Sequence, residues 1–328
     1  MAGESRAARV AEVPPKPRVG ISACLLGESV RFDGGHKHDR YLTDTLGLYF
    51  DWVPVCPEVE CGLPTPRESM HLEGDPESPR LVTTRTHEDK TEQERSWARR
   101  RVEELANEDL CGFIFKKDSP SSGMRNVRVY DENGVPRKVG IGIFSRIFMD
   151  RFPLLPVEEE GRLHDPHLRE SFIERIFCLK RYRDFLASDG GVGGLVEFHT
   201  DHKMLIMAHH VEAYRQLGRL VAHARELPRD ELFARYEQLM LRALSTRATP
   251  RKNANVLMHM MGYLKEQLSA DEKQEMLQLI DRYKGEIVPL IVPATLMNHY
   301  VRKYGEAYLA RQWYLHPHPV ELQLRNHA

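Results

Sequence analysis

Three short apolar runs in the first half of the chain each end in a reactive or turn-forming residue, and this pattern limits the fold more than any other feature. Arg18-Val-Gly-Ile-Ser-Ala-Cys24 runs into Leu25-Leu26-Gly27. Asp51-Trp-Val-Pro-Val-Cys56 is closed by Pro57, and Gly112-Phe-Ile-Phe-Lys-Lys117 by Asp118-Ser-Pro-Ser-Ser-Gly123. Apolar runs this short, bounded by Gly and Pro, read as strands. Pro54 cannot donate to a ladder, so the second run belongs at a sheet edge or is distorted. Between the second and third runs, Thr91 to Asn107 is charged, with apolar or small residues at Trp97, Val102, Leu105 and Ala106. That pattern is a surface helix. Strands alternating with helix imply a mostly parallel sheet.

Residues 140–178 are transitional. Gly140-Ile-Gly-Ile-Phe144 is either a further strand or a turn into a helix over Ser145–Arg151, and Phe152-Pro-Leu-Leu-Pro156 breaks the chain. Leu168–Leu186 is strongly helical, and the Gly-rich Ser188–Gly194 reads as a flexible stop. From Leu195 onward the pattern is helical throughout. Met204–Arg225 has near-helical apolar spacing. Thr249-Pro250 is an N-cap followed by Pro at the first helical position, Ser269-Ala-Asp-Glu272 fits a capping box, and Lys284-Gly285 is a stop. The expected organisation is a lead-in over 1–17, an α/β domain over 18–155, a helical linker over 156–194 and an all-α domain over 195–328.

Composition narrows the class. Hydrophobic residues make up 41% and charged residues 29%, which suits packed cores. No apolar run approaches the ~18 residues of a membrane span. The polar, Pro-rich first 17 residues lack an apolar h-region, so they read as a disordered lead-in and the expected compartment is cytoplasmic. Five cysteines, an odd and sparse number, argue against a disulfide scaffold. The formal net charge is −1, yet from residue 201 on 18 Lys and Arg face 14 Asp and Glu, a mild pointer toward an anionic partner for that half. Oligomeric state is not legible.

The chemistry sits where the strands end. Ligands of open parallel sheets bind beyond the carboxyl ends of the strands, so Cys24, Cys56 and the Ser119 loop can share one pocket. Paired C-x-x-C hooks of a zinc ribbon are missing. Thiols from separate loops suit an iron–sulfur cluster, or else they are scattered buried cysteines; spacing leaves both open. Arg31, Asp33, His36 and Lys37 in a Gly-rich loop either hold a substrate base or phosphate or brace the loop. Pro66-Arg67-Glu68 orients the neighbouring loop or binds phosphate. Cys178 reads as a core thiol. His199, His202, His209 and His210 lack carboxylates at ligand spacing.

At these residues a family resemblance becomes specific. Ser22-Ala-Cys-Leu-Leu-Gly27 with Arg31-Phe-Asp-Gly-Gly-His-Lys37, then Val55-Cys-Pro-Glu-Val59 with Gly62-Leu-Pro-Thr-Pro-Arg67, then Lys117-Asp-Ser-Pro-Ser-Ser-Gly123 resemble, in order, the three blocks of the TudS-type thiouracil desulfidases (DUF523). The later segments Leu195–His199, Asn253–Gly262 and Pro293–Tyr304 resemble the YbgA-like DUF1722 domain. The fused form resembles the RudS type, which acts on thiolated uridine in tRNA. The resemblance implies an enzyme with a [4Fe-4S] cluster on three cysteines, whose open iron takes the thiocarbonyl sulfur while water replaces it without net redox change. It implies Glu58 and Ser119 as catalytic residues, and Arg31, Asp33, Lys37, Ser121 and Ser122 as substrate-binding ones. A thiolated pyrimidine, in tRNA or free, is the implied partner.

The chain departs from that pattern at one ligand. The family's third cluster cysteine falls at Ser122, a poor substitute for a thiolate. Cys61 lies five residues after Cys56 in the same loop, whereas Cys111 precedes its strand and would lie about 25 Å from the Ser119 loop at ~3.3 Å per residue. The expected ligands are therefore Cys24, Cys56 and Cys61. The competing expectation is a binding module that has lost its cluster.

Overall fold

The computed structural model describes residues 15–327, so part of the expected lead-in lies outside the described residues. In chain order the first half comprises β1 (Arg18–Ser22), β2 (Asp51–Val55), the one-turn α1 (Pro57–Glu60), β3 (Met70–Glu73), β4 (Arg80–Thr83), α2 (Thr91–Ala106), β5 (Gly112–Phe115), β6 (Val127–Tyr130), β7 (Pro136–Gly140), α3 (Ile143–Arg151) and β8 (Val157–Glu159). One sheet has the order β2-β1-β5-β8 and is parallel throughout. Pro54 pairs with Ile21 on the edge strand, as its missing N–H requires.

Alternation along the strands divides this sheet's two faces. Val19, Ile21 and Ile114 point to one side, where they pack with Leu25, Phe172, Ile173 and Ile176. Phe113 and Phe115 point to the other, against Trp97 and Val102 of α2 and Phe144 and Phe148 of α3. A Cβ at Gly20 would collide with the Phe113 ring, so this glycine lets the aromatic lie across β1. The result is a sheet covered on both faces, the usual condition of parallel strands.

A second sheet, β4-β3-β6-β7, was not anticipated. Its strands are four or five residues long, and β7 is exposed along most of its length, so their apolar signal is weak. Residues 156–194, expected as a linker, contribute β8 to the first sheet and α4 (Pro166–Ala187) to its outer face. β8 reads Val-Glu-Glu, which carries no strand signature.

The second half is helical: α5 (Gly191–His209), α6 (Val211–Ala222), α7 (Arg229–Leu244), α8 (Pro250–Tyr263), α9 (Ala270–Lys284), α10 (Ile291–Tyr304) and the short α11 (Ala307–Ala310). The Thr249 cap and the Ser269–Glu272 capping box form as expected. Two boundaries differ. The glycine run does stop α4, at Ala187, but only Ser188–Gly190 separates the helices, because α5 already begins at Gly191, itself at positive φ. The Met204–Arg225 stretch breaks at His210, whose extended backbone and side chain cap α6 by accepting from Ala213 N.

His199, His202 and His209 are buried in separate bonds, to Tyr236, to Phe198 and Arg181, and to Glu174 and Thr246. Glu170, Glu174 and His318 converge within 4.8 Å, but the buried Arg325 guanidinium already pairs with both carboxylates. The segment carrying Arg325 also inserts Leu322 and Leu324 into the core behind β1, so the chain's last residues tie the helical half to the sheet.

Candidate functional site

The carboxyl ends of β1, β2 and β5 open onto one cavity of about 320 Å³. Cys24 follows β1 directly, in a single turn closed by Gly27 at φ +93°. Lys37 N donates to Cys24 O at 2.9 Å, which folds the Arg31–Lys37 loop back over the strand end. Cys56 follows β2 and caps α1, with Cys56 N donating to Glu60 Oε1 at 2.8 Å. Ser22 Oγ accepts from Lys116 N at 2.9 Å and locks the ends of β1 and β5 together.

The Ser119 loop is held from two sides. Ser119 Oγ accepts from Ser121 N at 3.2 Å and Ser122 N at 3.0 Å. The first amides of α3 donate to Pro120 O and Ser121 O, at 3.1 and 3.0 Å for Ile143 and Phe144. A Cβ at Gly142 would collide with the Ser121 carbonyl, so this glycine allows the close approach.

The lining contains Cys24, Cys56, Glu58, Ser119 and Ser122, with Arg31 and Lys37 among its cations. Three expected site residues are not in it. Asp33 braces its own loop, accepting from Gly35 N at 3.0 Å and facing Arg31 Nε at 3.5 Å. Ser121 is wholly buried beneath Glu58. Cys61 caps the far end of α1, its Sγ 3.3 Å from Glu58 O and packed with the α2–α3 apolar cluster. Of the three expected ligands, Cys24 and Cys56 line the cavity, whereas the one-turn α1 puts Cys61 at its opposite end, outside the lining.

Lys116 and Arg67 were not singled out as catalytic parts, yet both line the cavity. Arg67 is 5% exposed and grips Glu58 Oε2 through Nε at 2.9 Å and through Nη2. Its remaining donors reach Val30 O at 3.0 Å and Pro64 O and Thr65 Oγ1 at 3.2 Å each. This two-point grip fixes one carboxylate oxygen of Glu58. Lys116 Nζ pairs with Glu160 at 2.5 Å.

Sequence reasoning missed Glu94 altogether. It lies in the first turn of α2 and is wholly buried. Its spacing from Ala98, Val102 and Leu105 places it on the helix's buried stripe, the one signal that marks it out.

Burial raises the thiols of Cys24 and Cys56 to about 11 each, offset at Cys24 by Lys116 and Arg31 and at Cys56 by the Val59 amide. Burial pushes Cys61 up to about 12. Two soft donors facing one cavity at adjoining strand ends fit two corners of an iron–sulfur cluster. Ser122 lines the same space, and Cys61 as folded does not.

Residues 19–160 match the family described as 2-thiouracil desulfurase, and residues 203–319 match a protein family of unknown function, DUF1722. The uncharacterized protein YbgA of Escherichia coli (strain K12) is 32% identical over 158 residues, covering 48% of this chain and 94% of that protein. Among solved structures, the [4Fe-4S]-dependent thiouracil desulfidase TudS is 30% identical, covering 46% of this chain and 95% of that one at a TM-score of 0.37.

Proposed function

From a chain that belongs to the 2-thiouracil desulfurase family over residues 19–160 and to the DUF1722 family over residues 203–319, we propose an iron–sulfur-dependent desulfidase that replaces the sulfur of a thiolated pyrimidine, carried in tRNA, with oxygen from water. The observation that supports this reading is the convergence of Cys24, Cys56, Glu58 and Ser119 on one cavity. Cys24 and Cys56 hold the cluster. When bound there, it supplies a thiophilic iron for the thiocarbonyl sulfur.

The protein's own groups handle the water. Glu58, anchored by Arg67 at one oxygen, accepts a proton as the water oxygen bonds to the ring carbon. The carbon–sulfur bond then breaks, and both water protons leave with the sulfur as hydrogen sulfide, so the conversion needs no electron donor. Ser119 Oγ already accepts two backbone amides, which leaves its own hydrogen free to donate into the cavity. Arg31 and Lys37 at the rim suit a phosphate attached to the base. The helical half positions the larger substrate. None of the described helices is long and apolar enough to cross a membrane.

The test is anaerobic reconstitution with iron and sulfide analysis, followed by sulfide release from thiolated tRNA and from free 2-thiouracil. About four irons per chain and release from tRNA support the reading. Release from the free base alone assigns the smaller substrate. A folded chain that takes up no iron overturns the proposal and leaves a binding module. Iron lost in Cys61→Ser means that this thiol turns into the cavity on assembly. Iron lost in Ser122→Ala, but kept in Cys61→Ser, places the hydroxyl oxygen at the third corner.

A further inference from the structure

One buried acid near the cavity has no part in the chemistry above. Glu94 and Ser121 are both wholly shielded from solvent. Ser121 Oγ lies 2.9 Å from Glu94 Oε2 and 3.2 Å from Glu58 Oε1, so one hydroxyl bridges two carboxyl groups. A serine hydroxyl has a single hydrogen. With both carboxyls ionised, one of these contacts would set lone pair against lone pair, with two negative charges sharing one buried group.

The surroundings decide which carboxyl carries the proton. Glu58 has the Arg67 guanidinium on its other oxygen. Among the described residues Glu94 forms no ion pair, and its Oε1 has no hydrogen-bond partner. The Phe144 amide nearby is already given to Ser121 O. The charged or titratable groups that act on Glu94 are Glu58 and Arg67, with the Cys61 thiol beside them. Burial, and then the charge of Glu58, push Glu94 up to about 8.

We propose that Glu94 is a positioning residue of the desulfuration site: held as the neutral acid, it donates to Ser121 and commits the single hydrogen of Ser121 to Glu58. This inference rests on Glu58 being the group that manages the water proton. Glu58 is then fixed at both oxygens, by Arg67 from one side and by Ser121 from the other. When Glu94 ionises, it competes for that hydrogen and places a second charge behind Glu58. The site therefore carries its own alkaline limit, set by a residue that does not touch substrate.

Two measurements on the full-length chain test this. The first is infrared difference spectroscopy of the wild type against Glu94→Gln across about pH 6 to 10. A carboxylic-acid carbonyl band is expected at neutral pH, lost as pH rises through about 8 and absent from the variant. Lack of the band at neutral pH overturns the proposal. The second is the pH profile of kcat for desulfuration. Glu94→Gln keeps a donor for Ser121, so it should lose the alkaline limb and fall less than Glu94→Leu. Glu94→Leu should lose about five- to tenfold in kcat with KM little changed, the factor of one missing hydrogen bond. An alkaline limb unchanged in Glu94→Gln overturns the proposal. If no thiolated base is turned over at all, the functional reading fails and the infrared titration still decides the state of Glu94.

Discussion

Replacing Glu94 by Gln should change how stability depends on pH, in a direction and size that follow from burial. In the unfolded chain Glu94 ionises near its ordinary value of 4.5, whereas in the folded protein burial holds it at about 8. Between those values the folded state keeps a proton that the unfolded state has released. Its contribution to stability is full below about pH 4.5 and is lost as pH rises toward 8, at ~1.4 kcal/mol per pH unit. The accumulated loss is roughly 3 kcal/mol by pH 7 and roughly 5 kcal/mol above pH 8. Glutamine has no proton to lose, yet its amide can still donate to Ser121. Stability of Glu94→Gln relative to wild type should therefore climb by about 3 kcal/mol between about pH 4.5 and pH 7. Urea unfolding of the cluster-free chain at several pH values measures this difference, and all other titrating groups cancel in it. A constant offset between the two proteins would refute the reasoning, because it would mean that Glu94 ionises alike in both states.

The other expectations concern the anchors of the site and of the fold. Arg67→Ala should lower kcat by roughly tenfold or more, and Arg67→Lys should not restore it, since one ammonium cannot replace the fork that holds Glu58, Val30 O and Pro64 O together; steady-state kinetics on both variants decides. Cys24→Ser and Cys56→Ser should each lose bound iron after reconstitution while keeping their far-ultraviolet circular dichroism, and iron retained in Cys56→Ser would count against the cavity as the cluster site. Arg325→Ala leaves Glu170 and Glu174 without their buried cation, so thermal unfolding should show a loss of about 3–5 kcal/mol. Glu174 is held down to about 2 by His209 and Arg325 against the pull of burial. Its contribution is therefore present above about pH 4.5 and lost as pH falls toward 2, and Glu174→Gln should blunt the acid side of the stability profile.

Much of the molecule was legible in the chain itself. Three strand ends with Cys24, Cys56 and Ser119 were enough to expect one shared cavity, because parallel strands deliver their carboxyl ends to one edge. The edge position of Pro54 and the caps at Thr249 and Ser269 followed from local backbone chemistry. Periodicity likewise separated an α/β half from a helical half. The second sheet was not readable, since its strands bury too few residues to stand out from loops. Nor was the start of α5 within the glycine run, where low helix propensity is outweighed by the packing of the turns that follow.

The site shows the same division. Strand-end position pointed to the thiols of Cys24 and Cys56, and the family resemblance to Glu58. They could not say that Cys61 faces the α2–α3 cluster while Cys56 faces the cavity, because one helical turn presents both directions and the packing against it selects between them. They could not say that Glu94, one acid among many on a charged helix, is neutral. Its state depends on Ser121 and Glu58, which reach it from distant parts of the chain. The sequence by itself determined which chemical groups are present and on which elements they stand; the tertiary structure alone decided which of them meet and which carry a proton, since burial and long-range contact set both.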